Sequence, residues 1–252
     1  MNVNIITLGT SHGDPTYCRF NSSTLLQIGD ALYLIDAGAP ANALIIRHGL
    51  KLQNLKAIFI THMHEDHVGG LPGMIKSLVK YPDDGQHTDI FMPETDAIDA
   101  LMGWMQSMHR MWSEKLLTFK VTEPDLIFTD ENLQVTALPT KHLENEQQSF
   151  PSYAYQFDID DKRIIHTGDL KHDFSDFPVA AMNEASDLCI CECTHFDMKV
   201  ACNVLSKCMT QRMIFNHVSD SWHGDGEENF RKIIETLPFP CEIAHDGNEF
   251  KL

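Results

Sequence analysis

Apolar residues dominate Val3 to Leu8, Thr24 to Ile28 and Ala31 to Ile35, and Gly29-Asp30 between the last two runs is a hairpin signal, so the chain is predicted to open as a β meander. A short helix near residues 41–48, a strand over Ala57 to Ile60 and a helix from about Gly70 to Lys80 follow. A second strand-rich half spans Asp125 to Phe128, Leu133 to Pro139, Tyr153 to Phe157 and Arg163 to His166, with Asp160-Asp161 as the turn between the last pair. Strands are then read at Asp187 to Cys193, Met213 to Phe215 and Glu242 to Ala244. Helices are read at Asp197 to Met209 and Glu227 to Leu237. Two meanders separated and followed by helices predict an α+β fold. Its form is a four-layer αββα sandwich of two mixed β sheets flanked by helices, in a single domain over residues 1–252.

One helical stretch supports two readings. Ala97, Ile98, Leu101, Met102, Met105, Met108, Met111 and Trp112 recur at helical spacing, with Trp104 beside them. Methionine at that spacing packs a core helix, whereas adaptable thioethers and an indole also suit a lid or the contact surface of a homodimer.

Composition narrows the function classes. The formal charge of −17, from 19 basic and 36 acidic side chains, opposes a long-range field for polyanions, so a small, anionic substrate is easier to accept than a long nucleic acid. Seven cysteines form no Cys-x-x-Cys pair, and Cys189, Cys191 and Cys193 alternate along one face of a buried strand. Reduced thiols and a cytoplasmic location are the expectation, and three ligands on one face of one strand do not close a tetrahedral metal site. The opening residues lack a basic region and read as a first strand, and no apolar run approaches the length of a membrane span.

Candidate chemistry concentrates in Ile58-Phe-Ile-Thr-His62-Met-His64-Glu-Asp66-His67-Val-Gly-Gly70. An apolar strand delivers three histidines and an aspartate to the turn where it ends. Neutral imidazole and carboxylate are ligands that zinc, iron and manganese accept. Extended backbone puts His62 and His64 on one side, while Asp66 and His67 follow round the turn. That arrangement suits two adjacent ions. His142, Asp169, His195 and His217 each close a later strand-like run, which is the supply a two-metal site needs.

Thr61-His-Met-His-Glu-Asp-His-Val-Gly-Gly70, His142, His166-Thr-Gly-Asp169 and Asn216-His-Val-Ser219 together resemble the metallo-β-lactamase superfamily, in order and spacing through nearly the whole chain. The resemblance implies two divalent metal ions, with Zn²⁺ expected and Fe or Mn²⁺ also accommodated. His62, His64 and His142 would hold the first, Asp66, His67 and His217 the second, and Asp169 would bridge them. Asp36, in Leu34-Ile-Asp36-Ala-Gly38, would support the site from behind by orienting a ligand histidine. Within the superfamily the likeness is to the ribonuclease Z and phosphodiesterase branch, carried by Glu192-Cys-Thr-His195 and Phe215-Asn-His217-Val-Ser219. The catalytic set implied is His195, Asp66 and Asp36, with His195 assisting the leaving group, and Ser219 would donate one hydrogen bond to substrate.

Departures from that branch shape the expectation. Asp169 follows His142 by only 27 residues, too few for the arm with which ribonuclease Z grips transfer RNA, so folded tRNA is not the expected substrate. Asp220-Ser-Trp222 stands where an arginine often follows the last ligand motif, and only Cys18 lies where the phosphonate-pathway cyclic-phosphate phosphodiesterase carries a zinc-binding cysteine cluster. The expected activity is cleavage of a small phosphodiester, a cyclic nucleotide or short nucleotide ester, by a hydroxide bridging the metals. The alternatives are lactone, thioester or β-lactam hydrolysis at the same site, and a non-hydrolytic di-iron protein. His12, His166, His223 and His245 are left unassigned, with His223 and His245 read as the nearest to the pocket.

Overall fold

Two seven-stranded mixed sheets carry the chain, and this computed structural model describes residues 2–252. The backbone divides into two compact units, one running to Thr122 and taking in Asp246–Lys251, the other covering Glu123–His245 with Leu252.

The first unit's sheet has the order β14 (Asn248–Lys251), β1 (Val3–Gly9), β2 (Ser23–Ile28), β3 (Ala31–Ile35), β4 (Leu55–Phe59), β5 (Thr88–Met92) and β6 (Leu117–Val121). Pairing is antiparallel from β14 to β3 and parallel from β3 to β6. Gly29, at φ +59°, closes the predicted hairpin in a conformation that side chains resist. The parallel strands need helical crossovers, supplied by α1 (Ala41–Arg47), α3 (Leu71–Lys80) and α4 (Thr95–Ser107), while a single turn, α2 (Glu65–Val68), sits just before α3. Leu32 and Leu34 of β3 pack in one cluster with Ile45 of α1 and Met74 and Leu78 of α3. Tyr33 and Ile35 alternate to the opposite face and are buried as well, so the strand is apolar throughout. Asp246 ties the closing strand down, accepting from the Thr10 amide at 2.9 Å and the Phe20 amide at 2.6 Å.

β5 and β6 lie outside the predicted strands. Asp89 and Lys120 interrupt their short apolar patterns, and pairing of β5 to β4 and of β6 to β5 decides their state. α4 also ends earlier than its methionine spacing predicts. His109 turns left-handed at φ 55°, and the Arg110 amide bonds back to Met105 O at 2.9 Å, a Schellman-type stop. Met105 is fully buried and Leu101 packs on the core, whereas Trp104 is 63% exposed and Met111 79% exposed. The helix is thus core on one side and open on the other. A cleft of about 390 Å³ runs beside it, walled by Met63, Val68, Met92, Leu101 and Trp104.

The second unit's sheet has the order β13 (Cys241–Ile243), β12 (Met213–Val218), β11 (Leu188–Cys193), β10 (Lys162–His166), β9 (Tyr153–Ile159), β8 (Gln134–Pro139) and β7 (Asp125–Thr129). β7 to β10 form the predicted meander, with Asp160 left-handed at φ 50° in its turn, and β10 to β13 run parallel. α5 (Ala180–Asn183), α6 (Met198–Leu205) and α7 (Gly226–Ile234) fill the crossovers. Among the described residues no helix is long and apolar enough to cross a membrane.

All seven cysteines are free thiols. Cys189, Cys191 and Cys193 lie in the apolar cluster with Phe215 and Phe230, and burial pushes the first two thiols well up. Burial also raises the Cys208 and Cys241 thiols to about 12, so thiolate is scarce at physiological pH. Iodoacetamide at about pH 8 should therefore label exposed Cys18 quickly and Cys208 and Cys241 slower by on the order of 10³-fold. Mass-spectrometric labelling kinetics test this, and fast labelling at Cys208 would contradict it.

Candidate metal centre

In the first unit the ends of β3 and β4 lie side by side and fix the ligand turn. The Asp36 amide donates to Phe59 O at 2.9 Å, the Ala37 amide to His67 O at 2.7 Å and the Gly70 amide to Ala37 O at 2.8 Å. A Cβ on Gly38 would meet Asp66 O at 2.3 Å, so only glycine lets the two backbones approach this closely. His62, His64, Asp66 and His67 lie beyond the end of β4, where the sequence places them.

His62 and His64 share a side, their rings 4.6 Å apart, and the His67 ring lies 4.1 Å from that of His62. Asp36 is wholly buried at φ 57°, a conformation aspartate tolerates better than most residues. Its carboxylate accepts from the Thr61 amide at 2.8 Å and from His67 Nδ1 at 2.7 Å. That second bond commits the proton to Nδ1 and turns His67 Nε2 toward Asp66 Oδ2, 3.3 Å away. Thr61, which the sequence reading passes over, places its hydroxyl 3.1 Å from His62 Nδ1 and 2.9 Å from Asp36 Oδ2.

In the second unit four predicted residues converge. His142 follows β8 and its Nδ1 donates to Leu170 O at 3.2 Å, leaving Nε2 at 3.8 Å from Asp169 Oδ2. His217 Nε2 stands 3.5 Å from the same oxygen and His195 Nδ1 3.7 Å. His217 occupies a bulge in β12, where the register against β11 slips after Glu192, and its φ of 50° re-aims the side chain. Two carboxylates outside the predicted set hold these loops. Asp176 accepts from the Lys141 amide at 2.6 Å and the Lys171 amide at 3.0 Å, strapping the segments that carry His142 and Asp169. Buried Glu192 does the same for Leu170 and His195. Neither carboxylate has a local signal that separates it from the chain's other acidic residues.

Three of the histidines left unassigned have structural partners. His166 Nδ1 accepts from the Gly168 amide at 3.1 Å, His223 Nε2 donates to Val218 O at 2.9 Å, and His245 Nε2 lies 3.1 Å from Glu227. Ser219, predicted to contact substrate, has its hydroxyl 3.0 Å from Ser221 Oγ.

The chemistry of each group fits a divalent ion. Two ligands held at zinc distances of about 2.0–2.2 Å in a tetrahedral shell stand roughly 3.3–3.6 Å apart. The pairs at Asp66 and His67, 3.3 Å, and at Asp169 and His217, 3.5 Å, have that spacing. Asp36→Asn should weaken divalent-metal affinity by about 10–100-fold, because the amide no longer fixes His67 through a charged acceptor. Competition against a chromogenic chelator measures this, and unchanged affinity would remove Asp36 from any supporting role.

The family model described as Anti-Pycsar protein Apyc1 matches residues 3–236. The chain belongs to the Anti-Pycsar protein Apyc1 family. Beyond the Apyc1 family, it is similar to ribonuclease Z of Synechococcus sp. (strain CC9311), at 35% identity over 63% of this chain and 52% of that protein. The chain thus spans about half the length of the curated relatives it matches. Among solved structures it is similar to the metallo-β-lactamase fold protein YhfI from Bacillus subtilis, at TM-score 0.79, 18% identity and full coverage of both chains. It is also similar to human tRNase Z, short form (ELAC1), at TM-score 0.75, 21% identity and 98% coverage of each. These structural likenesses establish the fold of this Apyc1-family chain as the metallo-β-lactamase fold expected from its sequence.

Proposed function

We propose that this chain is a metal-dependent phosphodiesterase acting on a small phosphodiester, a cyclic nucleotide or a short nucleotide ester. The observation that carries the reading is the buried Asp169 carboxylate, with imidazole nitrogens of His142, His217 and His195 at 3.5–3.8 Å, a donor group with no apolar explanation. His62, His64 and His142 are assigned to one ion, Asp66, His67 and His217 to the other, and Asp169 to both, on the pattern of the superfamily motifs. When bound, two divalent ions supply Lewis acidity toward phosphoryl oxygens and acidify coordinated water.

The chain's own residues supply the rest. Asp36 and Thr61 orient His67 and His62, so little reorganisation is needed when ions and substrate bind. His195, with its side chain 29% exposed beside Asp169, is assigned to donate a proton to the departing oxygen. A phosphodiester is favoured by membership in the Apyc1 family and by relatives named ribonuclease Z. A small substrate is favoured by the segment between His142 and Asp169, which holds only a loop and the β9–β10 hairpin.

Purified protein should contain divalent metal and turn over bis-p-nitrophenyl phosphate and cyclic nucleotides, and should leave lactones and thioesters intact. Turnover confined to the acyl substrates would overturn the reading.

A further inference from the structure

We propose that Glu192 is a positioning residue that locks the His195 ring with its proton on Nδ1 and its Nε2 turned outward to the leaving group. The inference rests on the phosphodiesterase reading for what Nε2 does, but the lock itself follows from the hydrogen bonds alone.

Glu192 sits near the end of β11, and its side chain is 2% exposed. Oε1 accepts from the Leu170 amide at 2.6 Å, and Oε2 accepts from the Thr194 amide at 3.0 Å and the His195 amide at 3.1 Å. A backbone N–H can only donate, so both oxygens act as acceptors toward the three amides. His195 Nδ1 lies 2.9 Å from Oε1 and 3.0 Å from Oε2. As a carboxylate the Glu192 side chain only accepts, so Nδ1 carries the hydrogen of this contact, and Asp169 Oδ2, a second carboxylate oxygen, lies 3.7 Å from it. The tautomer is thereby set by a carboxylate that three backbone amides hold in place.

The ring's other nitrogen follows from the shape of imidazole. The two ring nitrogens diverge, so with Nδ1 on the buried Glu192 carboxylate Nε2 points away from that carboxylate, on a side chain that is 29% exposed. The same carboxylate grips Leu170, the residue after Asp169, so one side chain sets both the ring and the loop of the ligand it lies against. A surface histidine with a free ring would lose this registration to rotation about its side-chain bonds.

Long-range ¹H–¹⁵N correlation spectra of the metal-free, ¹⁵N-histidine-labelled full chain read the tautomer directly, with the His195 signals assigned by their loss in His195→Gln. The wild-type spectrum should have the neutral ring protonated on Nδ1. A neutral ring protonated only on Nε2 would overturn the proposal, and this outcome needs no variant to fold. For the catalytic consequence, Glu192→Gln should lower kcat for a phosphodiester with an alkoxide leaving group by on the order of 10²-fold, with KM nearly unchanged. It should affect bis-p-nitrophenyl phosphate far less, because nitrophenolate departs without a proton. Glu192→Asp, which keeps the acceptor-only group, should recover part of the loss. Equal losses on both esters would reduce Glu192 to a structural role. A wild-type protein that cleaves no phosphodiester would instead sink the functional reading, and the spectra would still decide the lock.

Discussion

Asp169→Asn protein is expected to fold normally, lose bound metal and fall in hydrolytic rate by on the order of 10³-fold or more, several kcal/mol of lost charge stabilisation. Asparagine is nearly isosteric with aspartate, and the backbone anchors on either side, His166 to the Gly168 amide and Glu192 to the Leu170 amide, do not involve the replaced side chain. What changes is charge. A buried carboxylate surrounded by three imidazoles would become a neutral amide that binds divalent ions weakly and cannot serve two at once. Metal content by mass spectrometry and kcat on bis-p-nitrophenyl phosphate should fall together. Asp173 provides the control: it is exposed, its carboxyl is held below the usual range by the Ser175 hydroxyl, and Asp173→Asn should leave both quantities unaltered. Full metal content in Asp169→Asn would mean that Asp169 is an ion-pair partner for histidines and no ligand.

The second large effect belongs to His195→Gln. Its removal should cost about 10²- to 10⁴-fold in kcat on phosphodiesters with poor leaving groups, the range of general-acid catalysis. Because a nitrophenolate needs no proton to depart, the same variant should lose much less on bis-p-nitrophenyl phosphate. Metal content should stay at the wild-type value, since His195 Nδ1 is already engaged by Glu192. Rates on any lactone or thioester should change little. If His195→Gln lost phosphodiester and acyl turnover equally, the preference for phosphorus would have no residue behind it.

Most of the fold was legible because it is local. The Gly29-Asp30 and Asp160-Asp161 turns, the alternating runs beside them and the apolar strand leading to Thr61 each carry their own signal. β5 and β6 carry no such signal, because parallel pairing of β5 with β4 and of β6 with β5 makes them strands, and no short-range pattern encodes a partner so far along the chain. α4 was read too long because methionine spacing continues past Ser107, where the left-handed turn at His109 ends the helix without a glycine to announce it.

The site divides the same way. His62, His64, Asp66, His67, His142, Asp169, His195 and His217 could be named as histidines and aspartates at strand ends, and the resemblance to the superfamily motifs is what proposes all but His195 as ligands. The groups that hold them could not. Thr61, Asp176 and Glu192 act by hydrogen bonds to backbone amides and ring nitrogens, which exist only once the loops are placed. Asp36 was found because its motif resembles the superfamily's, and the structure supplies the reason in its bonds to Thr61 and His67.

Metal stoichiometry of the purified chain, measured by inductively coupled plasma mass spectrometry during titration of metal-free protein, tests the paired-ion assignment most directly. The account predicts two tightly held divalent ions per chain in wild type, with loss of tight binding when His67 or His217 is replaced by alanine. Binding of no ion or of one, or two ions retained undiminished after those replacements, would contradict it.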